Sequence, residues 1–225
     1  MSRPSLEVSG LTMRFGGLLA VDGVELSVQP GQIVSMIGPN GAGKTTVFNC
    51  LTGFYKPSGG KIVFDGREIQ GLPGFKVARR GMIRTFQHVR LFKEMTVVEN
   101  LLVAQHQHMN TSMLAGLFKT PAYRRSEREA MERAAYWLER VDLHQFANRT
   151  ANTLAYGQQR RLEIARCMVT QPKLLMLDEP AAGLNPRETD DLKALIAELR
   201  DNHELTVLLI EHDMKLVMSI SDQIV

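Results

Sequence analysis

Hydrophobic positions change period several times along this chain of 225 residues. Leu6, Val8, Leu11 and Met13, then Leu19, Val21, Val24, Leu26 and Val28, recur at near-alternate spacing on either side of Gly16-Gly17. Alternation puts one face of an extended chain into a core, so this stretch predicts antiparallel strands. Residues 32–37 read as a buried strand and 46–51 as the helix after it. Ile62, Val63 and Phe64 before Asp65-Gly66 predict a strand and turn, and 82–86 a short strand ending at Gln87. The period then becomes helical. Residues 96–106 carry Val97, Leu101 and Ala104 on one face, and 122–141 carry Ala130, Ala134, Trp137, Leu138 and Val141. A further helix, holding Leu162, Ile164, Ala165 and Val169, is expected after residues 154–161. Residues 174–177 and 205–210 are almost wholly apolar, as strands covered on both faces of a parallel sheet are. Helices are expected after them, at 186–201 and 214–219.

This order predicts an α/β fold: a core built on a parallel sheet with an N-terminal antiparallel β subdomain, interrupted by a helical insertion. The expected organisation is one domain over 1–225, its core from 1–87 and 158–225, its helical part from 88–157. Residues 222–225 begin to look like another strand, and the domain is expected to continue past Val225. Within the insertion, 110–121 contains Met113, Leu114, Leu117 and Phe118. It reads either as an amphipathic turn covering the helical part or as a docking element. The charges at Arg124, Arg125, Glu127, Arg128 and Glu129 read as a solvated helix face, with a basic contact patch as the alternative.

A phosphate site is written between the third strand and its helix. Gly38-Pro39-Asn40-Gly41-Ala42-Gly43-Lys44-Thr45-Thr46 fits the phosphate-loop pattern of nucleoside triphosphatases, with strand before it and helix after it. Its glycines let the backbone approach phosphate oxygens, and the helix N-terminus directs N–H groups at the anion. Lys44 adds a positive charge at the β- and γ-phosphates, and the Thr45 hydroxyl is suited to Mg²⁺. Asp178-Glu179 follows the first apolar strand, at the sheet edge where open α/β sheets bind ligands. Asp178 can hold Mg²⁺ and Glu179 can serve as general base toward water. Glu211-His212-Asp213 follows the second apolar strand and reaches the same edge, where His212 can meet the γ-phosphate.

Bulk properties narrow the setting. With 44% hydrophobic residues the chain can bury a large core without disulfides. Cys50 and Cys167, its only cysteines, read as core thiols in a reducing compartment. A net charge of +3 is too weak to argue for nucleic acid. No apolar run approaches the roughly 18 residues of a membrane span, and residues 1–5 do not open a secretory signal. The chain is expected to be soluble by itself and to reach a membrane only through partners.

Taken in order, the phosphate loop, Gln87, residues 154–159, Asp178-Glu179 and His212 resemble the nucleotide-binding subunit of an ABC transporter, from Leu6 to the end of the chain. The resemblance implies a RecA-like P-loop core. It assigns Leu154-Ala155-Tyr156-Gly157-Gln158-Gln159 to the family signature and makes Gln87 the glutamine that senses γ-phosphate and metal and touches the membrane subunits. It places Phe15 against adenine, with core packing as the competing reading, and gives Ala182-Gly183-Leu184-Asn185 the role of the D-loop. Residues 154–168, 177–186 and 90–96 are most similar to ATP-binding subunits of branched-chain amino acid importers of the LivG type.

This implies an ATP hydrolase using Mg²⁺ (through Thr45, Gln87 and Asp178), paired head to tail with a second, related ATPase. A heterodimer is expected over a homodimer. Two transmembrane permease subunits, which would hold the chain on the cytoplasmic side of the membrane, and, indirectly, a substrate-binding protein complete the partners; no nucleic acid is implied. The alternatives are the ATPase of a lipid or lipopolysaccharide exporter, a soluble ABC switch, or a scaffold without turnover. Two positions depart from the family pattern: Ala155 replaces the signature serine and Tyr156 its first glycine. Asn185 stands for the D-loop aspartate, with Pro186 and Glu188 completing an N-cap pattern. The expectation is a weaker ATP site where this signature contributes.

Overall fold

The computed structural model describes residues 4–105 and 121–225. The segment expected to be a turn or docking element lies almost wholly outside them, as does His106, the expected end of the helix over 96–106. The chain divides into two compact units. One takes the chain to Gln87 together with Pro172–Val225, the other His88–Gln171.

In the first unit, β1 (Leu6–Phe15) and β2 (Leu18–Val28) form the expected antiparallel hairpin. With β4 (Gly59–Phe64) and β5 (Arg67–Glu68) they make a four-stranded sheet in the order β2-β1-β4-β5. The second sheet is parallel and runs β6-β7-β8-β3-β9. Its strands are β3 (Ile33–Met36), β6 (Met82–Arg84), β7 (Leu174–Asp178), β8 (Thr206–Ile210) and β9 (Gln223–Ile224). Every residue of β3, β7 and β8 is buried, which accounts for their predominantly apolar composition. Between the sheets lies one core, in which Leu6, Leu11, Ile62 and Phe64 meet Phe48, Leu51, Val34, Met176 and Leu208. The helix α1 (Lys44–Leu51) supplies Phe48 and Leu51 to it.

Helix α2 (Gly74–Arg79) has no counterpart in the sequence expectation. Its six residues bury only Val77, too little for a helical period to register.

The second unit holds α3 (Val97–Ala104), α4 (Pro121–Arg140) and α5 (Tyr156–Met168). Thr96 and Glu99 form a reciprocal capping box at the start of α3. Ala130, Ala134, Trp137 and Leu138 are the buried stripe of α4, as their spacing predicts. Gln105 is fully buried and donates to the Ala130 carbonyl at 2.9 Å while accepting from Arg133 at 2.8 Å. The helix that opens at the signature belongs to this unit by its packing, which runs beyond residue 157 to Gln171. Returning to the first unit, α6 (Pro186–His203) and α7 (Met214–Ile220) follow β7 and β8.

Candidate active site

Because β3, β6, β7 and β8 are parallel neighbours, the segments leaving their C-terminal ends share one sheet edge. Residues 38–46 leave β3 there and enter α1. Gly43 caps that helix at φ 87°, in the left-handed region. A β-carbon on it would stand 2.6 Å from the Ala20 carbonyl oxygen, so the loop packs directly against β2. The first turn of α1 carries no acidic side chain and no side-chain cap, leaving its N–H groups to an anion. Lys44 is 8% exposed, and its Nζ donates to the carbonyls of Gly38 (2.7 Å) and Pro39 (2.9 Å).

A cavity of about 300 Å³ opens over this loop. Asn40, Gly41, Gly43, Lys44, Thr45 and Thr46 form its floor, and Leu18, Leu19 and Ala20 of β2 line one side. Glu179 and His212 line it as well, so the ends of three strands contribute to one space. Phe15 is 42% exposed, which removes it from the core, and packs edge-on against Tyr55 at 5.2 Å between ring centres.

Asp178 is 3% exposed at the last position of β7, and Arg84 at the end of β6 holds its Oδ2 at 2.5 Å. Glu179 follows at φ 46°, a conformation that costs on the order of 1–3 kcal/mol outside glycine. Its side chain is where the strain leads. Gln87 Nε2 donates to Glu179 Oε2 at 2.8 Å, and His212 Nε2 lies 3.1 Å from Glu179 Oε1. Three residues assigned catalytic roles by sequence thus meet at one carboxylate.

Glu211 escaped that assignment. Only 4% exposed, it accepts from the backbone N–H of Ala181 (2.8 Å) and of His212 (2.9 Å), tying the loop after β7 to the loop after β8. An acid immediately after an almost wholly apolar strand is its signal. Asn185 and Glu188 exchange 3.0 Å hydrogen bonds in the capping box of α6, with Pro186 at its first turn.

Signature residues Ala155–Gln158 belong to the second unit. Ala155 occupies the N-cap of α5 in extended backbone, and Gln158 Oε1 accepts from its N–H at 3.0 Å. Alanine has no oxygen to return that bond, so the capping box is half made. Gly157 is buried, whereas Tyr156 is 42% exposed and its hydroxyl accepts from Arg160 at 3.3 Å. Arg160 and Glu163, both buried, pair at 2.9 Å, and Glu163 also accepts from the Arg90 N–H at 3.2 Å. Burial pushes the Glu163 carboxyl above its ordinary value, against the pull of the Arg90 N–H and the Arg160 charge.

The family model described as ABC transporter matches residues 21–182. The chain belongs to the ABC transporter family. It is an ATP-binding cassette and an ATP hydrolase of the ABC type. This cassette is 80% identical over 225 residues to the high-affinity branched-chain amino acid transport ATP-binding protein BraF of Pseudomonas aeruginosa, covering all of this chain and 88% of BraF. To LivG of Escherichia coli, which bears the same description, it is 68% identical over 224 residues, again covering 100% and 88%. Among solved structures, the ADP conformation of an ABC transporter cassette superposes with a TM-score of 0.85 at 35% identity, covering 99% of this chain and 87% of that one. A dimeric cassette bound to ADP and Pi gives 0.81 at 25% identity, covering 98% and 93%. No helix among the described residues of the cassette is long and apolar enough to cross a membrane.

Proposed function

We propose that this chain is the ATPase subunit that powers uptake of branched-chain amino acids, leucine, isoleucine and valine or close analogues. The observation that carries the ATPase chemistry is the meeting of Gln87, Glu179 and His212 beside the phosphate loop. The substrate class rests on what BraF and LivG are described as transporting.

In this reading Gly38–Thr46 backbone groups and Lys44 bind the phosphates of ATP, with Lys44 exchanging its bonds to Gly38 and Pro39 for phosphate oxygens. Phe15 supports the adenine. Glu179 accepts a proton from the attacking water, His212 orients that water and the γ-phosphate, and Gln87 reports on both to the membrane subunits. Thr45, Gln87 and Asp178 would hold Mg²⁺. They offer hard oxygen donors, and no cluster of three acidic, His or Cys side chains forms a metal cage among the described residues. That donor set suits Mg²⁺, which typically takes one or two protein oxygens together with substrate phosphates. Bound there, the ion would neutralise charge developing between the β- and γ-phosphates.

The partners in this proposal are a second ABC ATPase, in a heterodimer, and two transmembrane permeases that hold this chain on the cytoplasmic side of the membrane. A substrate-binding protein acts through the permeases. The two compact units then work as parts of one ABC ATPase domain, and Ala155, Tyr156, Gly157 and Gln158 face the nucleotide held by the other ATPase. Deleting the gene and measuring uptake of radiolabelled leucine, isoleucine and valine tests the substrate assignment. Loss of uptake restored by the wild-type gene supports it, and normal uptake in a strain lacking any second system overturns it.

A further inference from the structure

Arg84 is a buried cation that no catalytic role accounts for. It ends β6, in register with Met176 of β7. Side chains two residues apart share a sheet face, so Asp178 stands diagonally ahead of Arg84 on the same side. The guanidinium is fixed at both ends. Nη2 reaches Asp178 Oδ2 at 2.5 Å, and Nη1 donates to Asn49 Oδ1 at 2.7 Å. The rings of Phe48 and Phe86 stand 5.4 and 5.3 Å from its central carbon. Both partner side chains of the ion pair are under one-tenth exposed. This arrangement is a fixture, unlike a surface pair free to come and go.

Asn49 lies four residues after Thr45 on α1, hence on the same helix face. One guanidinium therefore ties the helix that carries the Thr45 hydroxyl to the carboxylate of Asp178.

We propose that Arg84 is a positioning residue for the metal: by bridging Asn49 and Asp178 it sets the spacing between the Thr45 and Asp178 oxygens to suit Mg²⁺. The inference rests on the reading of Asp178 as a metal ligand. Arg84 takes one oxygen of that carboxylate and leaves the other for the ion. Magnesium demands near-ideal octahedral geometry, whereas calcium tolerates irregular sites. Loosening the clamp therefore costs Mg²⁺ more than Ca²⁺. Outer partners of metal ligands commonly contribute 10–100-fold in affinity.

The test measures binding of a fluorescent ATP analogue to the full chain in EDTA, Mg²⁺ or Ca²⁺, for wild type, Arg84→Met, Arg84→Lys, Asn49→Ala and Asp178→Asn. Arg84→Met and Asn49→Ala are expected to raise the Mg²⁺ concentration needed for half-maximal enhancement by about tenfold. Their binding in EDTA and the Ca²⁺ requirement should stay within about twofold of wild type, because the phosphate loop is intact. Arg84→Lys, which keeps the charge but lacks the fork, is expected to restore less than half of the lost Mg²⁺ response. Equal losses in EDTA, Mg²⁺ and Ca²⁺ would show a merely structural role and overturn the inference, as would an unchanged Mg²⁺ midpoint in folded Arg84→Met or, should that variant not fold, in Asn49→Ala. An unchanged Mg²⁺ response in Asp178→Asn would overturn the metal reading itself.

Discussion

His212 Nε2 lies 3.1 Å from Glu179 Oε1, while Gln87 holds the other oxygen of the same carboxylate at 2.8 Å. The carboxylate is thus oriented from two sides before any water is placed. Glu179→Gln keeps the shape and removes the base. It is expected to bind ATP with unchanged affinity and to lose turnover by about 10²–10⁴-fold, the usual contribution of a general base. Equilibrium ATP binding and single-turnover hydrolysis separate the two effects. Hydrolysis at the wild-type rate would remove Glu179 from that role.

Ala155→Ser should complete the capping box that Gln158 now makes alone. A serine at an N-cap stabilises by about 1 kcal/mol relative to alanine. The unfolding free energy obtained from urea titration is expected to rise by that amount. In the assembled transporter the added hydroxyl is also expected to raise the hydrolysis rate, because it restores an oxygen for the partner's nucleotide. A stabilised variant with an unchanged rate would confine the alanine to a local effect on α5.

Glu163 gives a pH signature. Its carboxyl is raised above the ordinary value by burial, so between that value and the raised one the folded chain binds more protons than the unfolded chain. Stability from this group is therefore present below the ordinary carboxylate value and falls as pH rises through the folded one. Glu163→Gln does not titrate. The stability of wild type relative to this variant should decline as pH rises from about 4.5 upward, as followed by urea midpoints from pH 4 to 7. A rising difference would mean that Arg160 outweighs burial.

The cysteines are expected to be silent. Both are buried, and desolvation pushes the Cys50 thiol to about 11 and the Cys167 thiol to about 12. At pH 8 the thiolate fraction is then about 10⁻³ for Cys50 and about 10⁻⁴ for Cys167. A colorimetric disulfide reagent should report no fast thiol in the native protein and two after denaturation. One rapid equivalent in the native state would contradict the burial.

What the sequence reveals here follows from how local each signal is. The runs at β7 and β8 are legible because a strand covered on both faces favours apolar residues on both of them. The phosphate loop is legible because its chemistry and its backbone turn are contained in nine consecutive residues. Arg84 is not. Its meaning depends on β6 pairing with β7 so that residue 84 aligns with 176, and nothing near it in the chain encodes that register. Gln105 is hidden for the same reason: a glutamine at a helix end reads as solvated until Ala130 and Arg133 of another helix close over it. Phe15 lies between these cases. The sequence leaves it open between contact with adenine and core packing, and its exposure and edge-on contact with Tyr55 require the fold.

The contact between Gly43 and the Ala20 carbonyl changes how that glycine is to be understood. A β-carbon there would collide with rigid backbone at 2.6 Å, whether or not a nucleotide is ever bound. A library randomised at residue 43 and selected only for folding, in a medium free of ATP, would still return glycine. This glycine of the motif thus records a junction between two sheets as much as an appetite for phosphate, and loss of binding on mutating it says little about which was lost.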